Sequence, residues 1–151
     1  MAMRTIKRDI AGAIIFSNDN HVLVGKNVKG GVYEDLWVIP GGGIDEGETK
    51  EYAMKREIFE EVGINVDGAL IELLPEVQKG TTEKTLRDTG ERVLVDMTFY
   101  NFRVDIDAPA AEINLTLEDD FGYAEWAPLH SLPDRSYSPS VENLLRTLSL
   151  L

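Results

Sequence analysis

Three glutamates at helical spacing constrain this chain more than any other feature. The stretch from Gly42 to Ile64 passes from a glycine turn into a segment that carries Glu57, Glu60 and Glu61. At about 100° per residue, with Glu57 at zero, Glu60 falls near −60° and Glu61 near +40°. The carboxylates therefore share an arc of roughly 100° on one helix. Met54, Ile58 and Val62 recur at i, i+4 and i+8 beside that arc and should face the core. A glutamate-rich helix is usually a solvated face. Here the acidic arc borders an apolar one at the mouth of a glycine loop, which favours a ligand set. Crowded carboxylates repel one another, and a hard divalent cation with oxygen ligands removes the conflict. Mg²⁺ or Mn²⁺ suits such donors better than a soft metal. Arg56 lies on the flank of Glu57, four residues before Glu60, where it can brace that carboxylate. Thr49 is a natural N-cap, with Glu48 beside the positive end of the helix dipole. Gly63 fits a left-handed C-cap.

The spacing is also a signature. Gly42, five residues, Glu48, seven residues, Arg56-Glu57, Ile58, one residue, Glu60-Glu61, one residue, Gly63, Ile64 resembles the Nudix box in each defined position. Leu36-Trp37-Val38-Ile39-Pro40-Gly41-Gly42 before it and Glu125-Trp126-Ala127-Pro128-Leu129 near the end resemble the same family more loosely. The resemblance implies an α/β fold, with a mixed β-sheet between helices in an α/β/α sandwich. It implies a pyrophosphohydrolase that cleaves the diphosphate linkage of a nucleoside diphosphate joined to another group. Glu57, Glu60 and Glu61 would hold the metal. Glu57 and Glu60 would be catalytic, with Arg56 in support. The general base would be a box glutamate or a carboxylate of a later loop. Glu118, Asp119 and Asp120 are the loop candidates, and Glu118 is preferred for its longer side chain.

The rest of the chain is read around that box. Its 151 residues are the size of one domain, taken as 1–151. The absence of cysteine excludes disulfides and thiolate metal sites. A formal charge of −12 opposes binding to a nucleic-acid polymer but not to a small nucleotide that arrives with its metal. No signal-like start or long apolar run is present, so a cytoplasmic protein with no membrane segment is expected.

Strands are predicted over Asp9 to Ser17, His21 to Gly25 and Leu36 to Ile39. Arg92 to Val104 should be a central strand covered on both faces. Val66 to Val77 reads as extended chain, and Lys79 to Glu91 as a long polar hairpin loop. Asp105 to Asp120 reads as an acidic loop, and Ala124 to Leu129 as a short strand. Ser138 should cap the last helix, with Pro139 in its first turn. Val141, Leu144, Leu145 and Leu148 form a core stripe that Leu150 and Leu151 could extend into a homodimer contact.

For substrate binding, the glycines Gly41 and Gly42 let the backbone approach a ligand closely. Lys26, leaving its strand, could meet a phosphate, though a solvated lysine is an equal reading. Tyr33 could stack on a base, as could Phe121 or Tyr137. His21, beside its turn, reads as exposed. Some Nudix subfamilies carry a proline or tyrosine where this chain has Gly80, Thr81 and Thr82. That counts against ADP-ribose and diadenosine polyphosphates. The asparagine by which MutT-type enzymes read an oxidised guanine is missing from Arg135-Ser136-Tyr137-Ser138. The expectation is a nucleoside triphosphate pyrophosphohydrolase. A hydrolase of nucleotide sugars or similar diphosphates, and a nucleotide-sensing binding module, are the alternatives.

Overall fold

A computed structural model describes residues 3–27, 35–118 and 121–151. Strand β1 (Arg4–Phe16) forms the spine of a seven-stranded sheet in the order β4-β6-β1-β2-β7. It pairs in parallel with β6 (Arg92–Asp105) along its whole length. Its other edge takes the short strand β3 (Gly41–Gly43) and the return strand β2 (His21–Asn27), both antiparallel. β7 (Phe121–Pro128) pairs with β2, and β4 (Leu70–Leu73) with β6. The sheet is therefore mixed.

Helix α1 (Lys50–Val62) covers one face of the sheet. Met54, Ile58 and Val62 are fully buried there with Ala11, Leu23 and Val104. Thr49 Oγ1 accepts from the Tyr52 amide at 3.1 Å, and Gly63 ends the helix with a φ of 74°. Helix α2 (Pro139–Thr147) covers the other face through Val141, Leu144 and Leu145. Leu148, Leu150 and Leu151 pack partly buried against that same cluster. The two apolar layers make the α/β/α sandwich.

Three elements depart from the sequence expectations. Residues 79–91 are mostly strand: β5 (Gln78–Thr85) pairs antiparallel with β6, leaving a tight turn over 86–91. Its residues are polar because β5 is an edge strand with little to bury, so apolar periodicity gave no signal. Leu36 to Ile39 makes only isolated bridges through Trp37 and Val38, and the regular strand starts at Gly41. Proline at position 40 has no N–H to offer a ladder, although its carbonyl accepts from Ala13 N at 3.0 Å. β6 is covered on both faces only toward its end. Val93, Val95 and Met97 are buried, while the alternating Leu94, Asp96 and Thr98 are half-exposed. Among the described residues no helix is long and apolar enough to cross a membrane.

Candidate functional site

The antiparallel pairing of Ala11 with Gly42 fixes the glycine strand beside α1. Gly42 permits the approach, because a Cβ there would collide with the Glu57 carboxylate. A Cβ at Gly41 would stand 2.8 Å from the Ala11 carbonyl. The resulting cleft is about 450 Å³ and is lined by Gly41, Gly42, Gly43 and the three glutamates, together with Arg87. The three carboxylates placed on one arc by the sequence thus line one cleft.

Each carboxylate has a different setting. Glu61 is buried, at 8% exposure, and accepts from the Gly41 amide at 2.8 Å. Glu57 accepts from Arg56 Nη1 at 2.8 Å, and Glu60 from the same nitrogen at 3.3 Å. Arg56 also grips Glu48 with two nitrogens, at 2.6 and 2.8 Å, and donates to the Gly43 carbonyl at 3.0 Å. One guanidinium thus ties the helix, the glycine strand and the loop before the helix together. Its pKa is pushed up, first by the hydrogen bonds to Glu48 and despite its burial. Glu48 is held below the usual carboxylate range, first by Arg56 and then by the Asp45 amide. Glu48 is committed to Arg56 and the backbone, and it does not line the cleft.

The donor set is all hard oxygen, which fits Mg²⁺ or Mn²⁺. Among the described residues no three histidine, aspartate or glutamate side chains stand converged on one metal position. The carboxylates are directed to Arg56 and to the backbone. The glycine cradle leaves space in front of them.

Other predicted site residues are dispersed. Lys26 Nζ lies 4.9 Å over the Trp37 ring and lines neither this cleft nor the one beside it. Tyr33 lies outside the described residues, as do Asp119 and Asp120. Glu118 sits next to the helix end, where its amide donates to the Glu61 carbonyl at 3.1 Å. Its side chain is exposed and is not among the described residues that line the cleft. His21 is half-exposed, with Nδ1 at 2.9 Å from the Asp19 carbonyl.

Two cations at this rim were not singled out from sequence. Arg87 reaches the cleft from the 86–91 turn, and the Arg8 guanidinium fills the space a side chain on Gly43 would need. Locating Arg87 required the β5–β6 register, which a polar edge strand does not announce.

A model of the NUDIX domain matches residues 6–148. The chain belongs to the Nudix family. An RNA pyrophosphohydrolase of Wolbachia pipientis is 40% identical over 58 residues, which is 38% of this chain and 34% of that protein. The matched region is therefore about a third of that relative's length. An RNA pyrophosphohydrolase of Rhizobium meliloti is 32% identical over 141 residues, covering 83% of this chain and 81% of the relative. Among solved structures, a MutT from work on the Aliivibrio salmonicida and Vibrio cholerae proteins superposes with a TM-score of 0.64. It is 20% identical and covers 94% of this chain and 96% of its own. At that identity the likeness speaks for the Nudix fold alone.

Proposed function

We propose that this Nudix domain is a divalent-metal-dependent pyrophosphohydrolase acting on a nucleoside triphosphate. The observation that carries the reading is one cleft holding three carboxylates of α1, the backbone of a glycine strand and a rim arginine. Glu57, Glu60 and Glu61 would hold Mg²⁺ or Mn²⁺. When bound, the ion neutralises phosphate charge and makes water more acidic.

The chain's own residues supply positioning. Arg56 fixes Glu57 and Glu60 from one nitrogen, so neither carboxylate must be ordered during the reaction. The Gly41 amide fixes Glu61. Gly41 and Gly42 carry no side chain, which leaves a diphosphate room to approach the carboxylates. Arg87 offers a planar fork of donors suited to a phosphate. Glu57, Glu60 and Glu118 are the candidates for accepting the proton of the attacking water.

The name shared by the curated relatives favours a second reading, in which an RNA chain carries the diphosphate. A charge of −12 weighs against gripping many phosphates, so a single nucleotide comes first.

The test is turnover on a panel of nucleoside triphosphates, nucleotide sugars and triphosphate-ended RNA, with Mg²⁺ or Mn²⁺ and then with chelator. The expected products are nucleoside monophosphate and pyrophosphate, with activity lost on chelation. Inorganic phosphate as the first product from a triphosphate, or full activity in metal-free buffer, would overturn the proposal. Faster cleavage of RNA ends than of any mononucleotide would move it to the second reading.

A further inference from the structure

A second, apolar cleft adjoins the carboxylates and shares Gly41, Gly42 and Glu61 with them. Its volume is about 190 Å³. That is below the roughly 300–1,000 Å³ of a pocket for a drug-sized ligand, and it suits a single ring system. Val38, Met97, Phe99, Phe121 and Leu144 supply apolar wall.

Asn27, Glu61, Asn101, Ser138 and Ser140 interrupt this wall with polar side chains, and besides Glu61 the buried ones are Asn101 and Ser138. Asn101 is 4% exposed and Ser138 is 2% exposed, and both line the cleft. Neither side chain hydrogen-bonds to a described residue. Ser138 occupies the N-cap of α2, yet its hydroxyl makes no capping bond. Asn101 faces Gly12 across the parallel β1–β6 ladder. A Cβ on Gly12 would lie 2.7 Å from its Oδ1, so the glycine leaves the space that the carboxamide fills. Among the described residues the one fully occluded side-chain polar atom without a partner is Trp126 Nε1. The polar atoms of Asn101 and Ser138 are therefore not sealed in the core. They keep contact with the cleft.

A ligand that filled the cleft with apolar surface would cut the carboxamide off from water and leave it unpaired, which is costly. A ligand that supplies the missing bonds is correspondingly favoured. We infer that Asn101, with Ser138 in the same cleft, selects the substrate by reading the hydrogen-bonding edge of its ring, and that the preferred edge sets an amine beside a ring nitrogen, as adenine does. This inference rests on the nucleotide reading of the site given above. A carboxamide presents one acceptor and one donor side by side. An exocyclic amine next to a ring nitrogen, as on adenine, satisfies both at once, whereas a ring nitrogen with no amine beside it strands the carboxamide oxygen. The phosphates of the same molecule then extend toward Glu61 and the glycine strand.

Product binding tests this without turnover. The affinities of AMP and of purine riboside 5′-monophosphate, which differ only by the amine, are measured by calorimetry on the wild type, Asn101→Leu, Asn101→Ala and Ser138→Ala. The wild type should prefer AMP by about tenfold or more, since a site built around a polar group rejects the analogue that lacks its mate. Both Asn101 variants should bring that ratio close to one, and Ser138→Ala should reduce it in part. A purely structural asparagine predicts a different pattern, with Asn101→Leu melting early and the ratio intact. Here the melting temperature of Asn101→Leu should hold or rise, because no protein hydrogen bond is lost. Equal affinities in the wild type, or an unchanged ratio in both Asn101 variants, would overturn the assignment. Absence of hydrolysis on every triphosphate would count against the proposed activity, while the AMP preference would still decide the role of Asn101.

Discussion

Arg56 closes a two-point ion pair on Glu48, with Nε to Oε2 at 2.6 Å and Nη2 to Oε1 at 2.8 Å. The same guanidinium reaches Glu57 at 2.8 Å and the Gly43 carbonyl at 3.0 Å. Glu48 thereby fixes the arginine that positions the cleft, although it is outside the cleft itself. Arg56→Lys keeps the charge but loses the fork. Activity should fall by about 10–100-fold, as is typical when a group orienting a metal ligand is removed. Steady-state rates check this, with the fold monitored by circular dichroism.

The pair also makes a pH prediction. Arg56 depresses the Glu48 carboxyl in the folded protein. A depressed carboxylate contributes stability that is fully present above its unfolded pKa, and that is lost as pH falls through the folded value. Glu48→Gln should therefore melt below the wild type at pH 7. The gap should narrow once the pH drops under the ordinary glutamate value of about 4.3. Melting curves at pH 7 and pH 3 decide it, and a gap that widens in acid would contradict the assignment.

Gly42 touches Glu57 so closely that a methyl group would displace the carboxylate. The displaced group is the end of a flexible side chain, so the fold can absorb the change. Gly42→Ala should keep its melting temperature within a few degrees and lose about 100-fold or more in rate, the scale expected for a misplacement of about 1 Å. Rate and melting temperature measured on one preparation separate this from simple destabilisation.

The two arcs of α1 should fail in different ways. Glu60 is partly exposed, whereas Ile58 is fully buried. Glu60→Gln should fold and lose rate by orders of magnitude. Ile58→Asp buries an unpaired charge and should cost more than about 4 kcal/mol of stability. Urea melts of both variants, read beside turnover, test the choice of helix face.

How much of this was legible in sequence depended on the range of the interactions. The α1 arcs, the Thr49 cap and the Gly63 cap follow from local spacing, and the fold shows each of them. The bracing of Glu57 by Arg56 was close to the expected support of Glu60, and the shorter bond goes to Glu57. Strand β5 was not legible, because an exposed edge has no apolar face to give it a period. Asn101 resembled any polar residue in a long β run until the Gly12 pairing and the Ser138 hydroxyl were brought to one cleft. Such contacts join residues far apart in sequence and leave no local pattern.

Arg87 supplies the last prediction. It is exposed in the turn between β5 and β6, lines the carboxylate cleft and makes no ion pair with a described residue. A guanidinium across from carboxylates, with no counter-ion of its own, is placed to take a phosphate oxygen. A charge-assisted bond to phosphate is worth about 1.5–3 kcal/mol, or roughly 10–100-fold in affinity. Arg87→Ala should therefore raise KM for a nucleoside triphosphate by at least the lower figure. Its effect on a nucleoside diphosphate should be smaller if the arginine holds the terminal phosphate. Arg87→Lys should fall between, since it keeps a point charge without the two-pronged geometry. Because the side chain is exposed, the penalty should shrink as salt screens it. Stability should change by no more than about 0.5 kcal/mol, as for other surface substitutions. Equal KM values for wild type and Arg87→Ala at low salt would show that the hairpin only walls the cleft and does not grip the substrate.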